Sequence, residues 1–370
     1  MNVGLLSTYP PTQCGLAEFS SSLREGLLAG QPGLQVDIVR IGHTAPSEHD
    51  EDVVHVLMSE SEAESLDAAR VLNKFDVAII QHEYGIYGGA DGDQVLDIVE
   101  ALHVPVVVVV HTVLAQPTPH QRFVLEVLTQ SADAVVTMSQ TGRRRLLDYY
   151  RVDPRKLLLI PHGAPASAPS RRASAPRLRP VILTWGLLGP GKGIEWGIKA
   201  LSAMDIRPQP TYVVAGQTHP KVAARDGERY RDSLIERAER QGIPHLVQFE
   251  PGFISMERLH VLLREADVVL LPYDSQEQVT SGVLTEAIAA GVPVVATAFP
   301  HAVELLADDR GGLLVPQGDS AAIATALTRV ITEPGLAQEM SAHNASLTTS
   351  VIWPAVASQY RQLFDSLLSS

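Results

Sequence analysis

Five consecutive valines, Val106–Val110, constrain the fold of this chain more than any other feature. β-Branched side chains favour extended backbone, and a strand that is apolar on both faces must be covered on both. Such a strand belongs in a parallel sheet wound by crossover helices. The apolar run that contains it, residues 104–110, is far too short to cross a bilayer. The same alternation of β-rich runs and helical patterns continues along the whole chain. In the first half it predicts strands at 3–8, 36–41, 77–82, 106–112, 134–139 and 157–161, with helices at 16–29, 60–74 and 122–132.

The pattern then breaks. Residues 161–165, Pro-His-Gly-Ala-Pro, lead into a Pro/Ser/Ala-rich stretch without hydrophobic periodicity, which reads as a linker over 166–179. Alternation restarts at 181–185, and strands are predicted at 212–215, 247–250, 268–271, 293–296 and 313–315. No repeat of solenoid length is present. The fold class is therefore α/β, with two Rossmann-like domains facing across a cleft, spanning 1–165 and 180–351. In such sheets ligands sit at the carboxyl ends of the strands.

A chain of 370 residues can bury a full core in each half without disulfides. Cys14 is the only cysteine, so no intrachain disulfide is possible, which fits a reducing compartment. The first residues lack the basic and apolar regions of a signal peptide, and a cytoplasmic location is expected. The formal charge of −13 disfavours nucleic acid as a partner. The triplet Arg143, Arg144 and Arg145 is either a membrane contact or the solvated face of a helix, the second being the plainer reading.

Four loops after strands carry candidate chemistry. The first, residues 9–15, ends at Gly15 and enters a helix; it is either a backbone approach to an anion or an ordinary turn. Cys14 has no paired base nearby in sequence and does not read as a nucleophile. The second, residues 185–193, reads Trp-Gly-Leu-Leu-Gly-Pro-Gly-Lys-Gly and nearly spells a P-loop. Gly193, however, stands where Ser or Thr must hold magnesium. Lys192 on this turn suits a diphosphate, the alternative being a solvent lysine. The third loop places Gln278, Thr280, Ser281 and Gly282 at the start of a helix, with Glu286 one turn further in. That carboxylate can accept two ribose hydroxyls, or it is an exposed helix glutamate. The fourth carries His82, Glu83 and Tyr84, and with it goes His111 at the end of the neighbouring valine strand. These histidines are either structural or functional. Asp91 and Asp93 imitate a metal-binding Asp-x-Asp but read as the polar start of the next helix, and no metal site is expected.

Taken together, these loops resemble glycosyltransferase family 4, of the two-Rossmann GT-B architecture. The likeness runs from the Gly15 loop through the 186–193 turn and residues 251–259 to the blocks 266–272 and 286–296. The segments 81–85, 216–220 and 278–282 are most similar to a mannosyltransferase-like branch. The resemblance implies that Lys192 meets the donor diphosphate, Glu286 the ribose, and Phe253 and Ile254 the base, with Gly15, Gly186, Thr280, Ser281 and Gly282 also in the donor site. It places His111 near the transferred sugar, His82, Glu83 and Tyr84 on the acceptor side, and a final helix within 352–370 back on the first domain. Two positions depart from the family pattern. Gln278 replaces the first of two glutamates eight positions apart, and Leu187 replaces an arginine.

The implied reaction is retaining hexosyl transfer from a nucleotide-diphosphate sugar to a hydroxyl acceptor, without a cofactor or metal, with His111, Lys192 and Gln278 nearest the chemistry. GDP-mannose is the expected donor. The alternatives are a UDP- or ADP-sugar, or a non-catalytic sugar-nucleotide binder. A P-loop phosphotransferase is the competing enzyme class.

Overall fold

A computed structural model describes residues 1–42, 50–58, 60–166 and 179–369. The chain divides into two compact units, Met1–Gly163 with Trp353–Ser370, and Ala164–Ile352. The segment expected to act as a linker, 166–179, lies outside the described residues except at its ends.

The first unit holds β1 (Asn2–Ser7), β2 (Gln35–Ile41), β3 (Val53–Leu57), β4 (Val77–His82), β5 (Val106–Val110), β6 (Ala134–Thr137) and β7 (Leu157–Leu159). All neighbours pair in parallel, in the order β3-β2-β1-β4-β5-β6-β7. The five valines of β5 are all buried, as their two-sided apolar character requires. One face of this sheet packs against two helices from opposite ends of the sequence, Gly15–Leu28 and Trp353–Leu368, through Phe19, Leu23 and Leu27 and through Trp353, Tyr360 and Phe364. A Cβ on Gly26 would lie 3.2 Å from both Ala357 Cβ and the Trp353 carbonyl oxygen, so glycine permits this close crossing. Arg361 donates to the carbonyls of Gly26 and Leu27 at 3.1 and 3.3 Å, satisfying acceptors that the end of a helix leaves open.

The second unit holds β8 (Val181–Trp185), β9 (Thr211–Ala215), β10 (Val247–Glu250), β11 (Val268–Leu271), β12 (Val294–Thr297) and β13 (Gly312–Val315). Its parallel order is β10-β9-β8-β11-β12-β13. Both sheets thus reverse direction beside their own first strand, between β1 and β4 and between β8 and β11. Doubly wound sheets bind ligands outside the carboxyl ends of the strands at that reversal. The two Rossmann-like units, with the last helix packed on the first, match the architecture expected from the sequence. Strand β3 was not predicted: it is a five-residue edge strand with Val54 47% exposed, too short and too polar in pattern to read as buried. Among the described residues, no helix is long and apolar enough to cross a membrane.

Candidate functional site

In the second unit three strand-end loops converge at the reversal between β8 and β11. Trp185 ends β8, and Gly186, Gly191 and Gly193 follow with φ of +118°, +88° and +66°. The demand is sharpest at Gly193, where a Cβ would sit 1.8 Å from the Pro272 carbonyl oxygen. Backbone therefore packs on backbone, and the Asp274 amide donates to the Gly191 carbonyl at 2.9 Å. This packing removes the P-loop alternative, because the position that needs Ser or Thr has neither the φ nor the space for a side chain.

Lys192 stands between these glycines with its Nζ 4.5 Å from the centre of the Tyr273 ring. Burial lowers its pKa, and no charged neighbour enters to offset that loss of hydration. An ammonium held this way is suited to an incoming anion.

Beyond β11 the chain enters the helix Gly282–Ala289, whose N-cap Ser281 takes the Leu284 amide on its Oγ at 3.2 Å. Glu286 is partly buried, and the Trp185 indole N–H donates to its Oε2 at 3.3 Å. The carboxylate is thus fixed to the end of β8 and is not an exposed helix glutamate. Gln278 curls onto its own loop, its side-chain amide donating to the Thr280 carbonyl. The Thr280 hydroxyl is buried and has no hydrogen-bond partner among the described residues. Phe253 and Ile254 follow β10, both partly buried, with Ile254 packed against the core.

Leu187 brings no charge to the lysine loop, yet an arginine reaches this end of the sheet. Arg231 donates to the Gly216 carbonyl at 2.8 Å, and Gly216 packs so closely on Gly186 that a Cβ would lie 1.9 Å from the Gly186 carbonyl oxygen.

The first unit gathers a different set at the ends of β1, β4, β5 and β7. Cys14 is the N-cap of the helix Gly15–Leu28, accepting the Ala17 amide on Sγ at 3.4 Å. A Cβ on Gly15 would meet nothing within 4 Å, so packing within the unit does not demand glycine there. His111 Nε2 lies 2.6 Å from Gln81 Oε1, and Phe19 meets the His111 ring edge-on at 4.7 Å. His162 contacts the same phenyl ring at 5.0 Å. Burial lowers the pKa of His111 well below its ordinary value, with smaller contributions from His162 and His82, and it lowers those of His82 and His162 to about 4. At neutral pH these imidazoles are uncharged and poorly matched to carrying protons near pH 7.

The three residues expected on the acceptor side lie at and just beyond the end of β4. His82 is 1% exposed with neither ring nitrogen partnered among the described residues, so its ring is closed off although it ends a strand. Glu83 accepts the Gly85 amide at 2.7 Å, and the Tyr84 hydroxyl donates to the Gln121 carbonyl at 3.3 Å. Glu83 thus braces its own loop, and Tyr84 ties that loop to the helix Pro119–Ser131. Asp91 and Asp93 lie at the start of the helix Gln94–Glu100, as read from the sequence, and face the two nitrogens of His120 at 3.1 and 3.4 Å. Arg145 turns inward, donating to the Val113 carbonyl at 2.8 Å. Sequence reasoning missed Trp185, Tyr273 and Arg231, which line these loops. Only Trp185 and Tyr273 carried a signal, an aromatic at the carboxyl end of a strand.

Two family models match the chain in succession: Glycosyltransferase Family 4 over residues 29–167 and Glycosyl transferases group 1 over residues 170–346. A D-inositol 3-phosphate glycosyltransferase of Kineococcus radiotolerans is 29% identical over 266 residues, covering 65% of this chain and 59% of that protein. A phosphatidyl-myo-inositol mannosyltransferase of Mycobacterium leprae is 37% identical over 108 residues, 29% of each chain. This chain thus spans less than two thirds of the length of these relatives. Among solved structures, a sucrose-phosphate synthase from Thermosynechococcus elongatus superposes with a TM-score of 0.80 at 21% identity, covering 100% of this chain and 99% of that one. Anabaena HepE in complex with UDP and glucose gives 0.78 at 17% identity, covering 99% and 100%.

Proposed function

Because this chain belongs to the glycosyltransferase superfamily of GT-B fold, we propose that it moves a hexose from a nucleotide-diphosphate sugar to a hydroxyl acceptor with retention of configuration. One observation carries the reading. An ammonium without a charged partner (Lys192), an unoccupied stretch of helix-start amides (Gly282 and Val283) and a tethered carboxylate (Glu286) meet at one strand reversal. The first two suit a diphosphate and the third a ribose.

The acceptor hydroxyl attacks the anomeric carbon as the bond to the diphosphate oxygen breaks. Its proton passes to the departing phosphate, so no protein nucleophile is needed. Charge grows on the leaving diphosphate, where Lys192 and the amides are placed to stabilise it.

A uridine nucleotide is the better supported donor, since HepE binds UDP and UDP-glucose in a fold that aligns along nearly the whole chain. GDP-mannose is the second reading, favoured by the match to the Mycobacterium leprae mannosyltransferase. We further read the reaction as independent of a divalent metal. A thermal-shift series with UDP, GDP and ADP, followed by transfer assays with the matching sugars in excess chelator, tests these points. Binding of the native state raises its melting temperature. A larger rise with GDP than with UDP overturns the uridine reading, and magnesium-reversible loss of transfer overturns the metal-free one.

A further inference from the structure

His301 lies just beyond β12, in the helix Pro300–Leu306, and is 3% exposed. Its Nδ1 accepts the Ser281 amide at 2.9 Å, and its own amide donates to the Gln278 carbonyl at 3.2 Å. One residue thus holds both ends of the segment 278–281. A ring nitrogen that accepts an N–H carries no proton, so the imidazole is neutral with its proton on Nε2.

A second anchor from the same strand end supports the segment before it. Thr297, fully buried, donates from Oγ1 to the Tyr273 carbonyl at 2.5 Å. The Asp274 amide bonds the Gly191 carbonyl of the lysine loop at 2.9 Å. The end of β12 is therefore tied through the segment after β11 to the turn that carries Lys192.

The clip also decides which amides remain open. Ser281's amide is taken by His301 and Leu284's by the Ser281 hydroxyl. The amides of Gly282 and Val283, between them, have no acceptor among the described residues. Without the imidazole, the Ser281 amide becomes a third unsatisfied donor and only the Gln278 end of the segment stays held, through the backbone amide of residue 301.

We propose that His301 is a positioning residue for the nucleotide diphosphate: by holding the Ser281 amide and the Gln278 carbonyl, it aims the Gly282 and Val283 amides at the phosphates and fixes Gln278 beside them. The inference rests on the donor-site reading given above. It predicts a specific pattern of rescue. Asparagine places its carbonyl oxygen near the position of Nδ1, whereas glutamine extends its amide toward the position of Nε2.

The test is calorimetry with UDP, GDP and ADP on the full chain and on His301→Asn, His301→Gln and His301→Ala, with a melting curve for each. His301→Asn should bind the preferred nucleotide within about threefold of the parent, and the Gln and Ala variants about tenfold more weakly, the loss that one hydrogen bond brings. If His301→Ala does not fold, the comparison of Asn with Gln decides alone. Equal affinity in Asn and Gln variants, or affinity that follows melting temperature across the series, overturns the positioning role. A parent chain that binds none of the three nucleotides overturns the donor-site reading itself, and this inference with it.

Discussion

Lys192 holds a partly buried positive charge whose pKa burial lowers and no carboxylate restores, with only the Tyr273 ring beneath it. Such a group costs the free protein hydration and is repaid only by an anion. We therefore expect Lys192→Ala to reduce turnover about a hundred- to thousandfold, the usual effect of removing one donor to a developing charge. The melting temperature should stay level or rise, because a desolvated charge disappears with the side chain. Lys192→Arg should recover little, since the planar fork is larger and approaches phosphate differently. Steady-state kinetics and melting curves check all three statements, and near-normal turnover in the alanine variant removes the diphosphate from this loop. The histidines of the first unit make a separate prediction about acid. His82 and His162 have folded-state pKa values of about 4, against about 6.5 in an unfolded chain. Between these values the unfolded state binds protons that the folded state refuses. Stability is thus complete above pH 6.5, falls as the pH drops toward 4 and levels off below. Each histidine contributes roughly 1 kcal/mol per pH unit in that window. Denaturant titrations from pH 7 to 4.5 should show the slope, and His82→Asn should flatten it; an unchanged slope would show that His82 is not the source.

Among the elements, the joint between the lysine loop and the segment after β11 is the most demanding. Gly193 combines a φ of +66° with a carbonyl oxygen 1.8 Å from where a Cβ would stand. Gly193→Ala should therefore cost about 1–3 kcal/mol in left-handed strain and displaced backbone. It should also abolish nucleotide binding, because Pro272 must move and the loop with it. A melting curve and a UDP titration check this, and wild-type affinity in a folded variant would show that the joint does not shape the site. Much of this architecture was legible in sequence for a physical reason. The strands predicted at 77–82, 181–185 and 268–271 carry the bounds of β4, β8 and β11, because strands inside a sheet covered on both faces are largely apolar along their length. The loop positions of Lys192 and Glu286 were legible too, since a glycine turn and a helix start are marked in the sequence itself. His301 and the tether from Trp185 to Glu286 were not. The latter pair lies 101 positions apart, and only the strand order brings the two together. Nor was the burial of His82: it ends a strand, but no local pattern says that it is only 1% exposed.

At the scale of the whole molecule, the two units differ in how the chain builds them. The second is continuous in sequence, Ala164–Ile352, and contains Lys192, Glu286 and the clip from His301. We expect a fragment of residues 180–351 to fold and to bind the preferred nucleotide diphosphate, as calorimetry on the fragment would show. A folded fragment without affinity would mean that the first unit supplies the binding energy. The first unit, by contrast, completes one face of its sheet with Trp353, Tyr360 and Phe364 from the last helix. Synthesis runs from the amino end at about 5–20 residues per second. The unit translated first must therefore wait with an open apolar face until after the second has emerged whole. Order of birth and order of maturation are inverted in this protein, and in the nascent chain it is the older half that needs shelter.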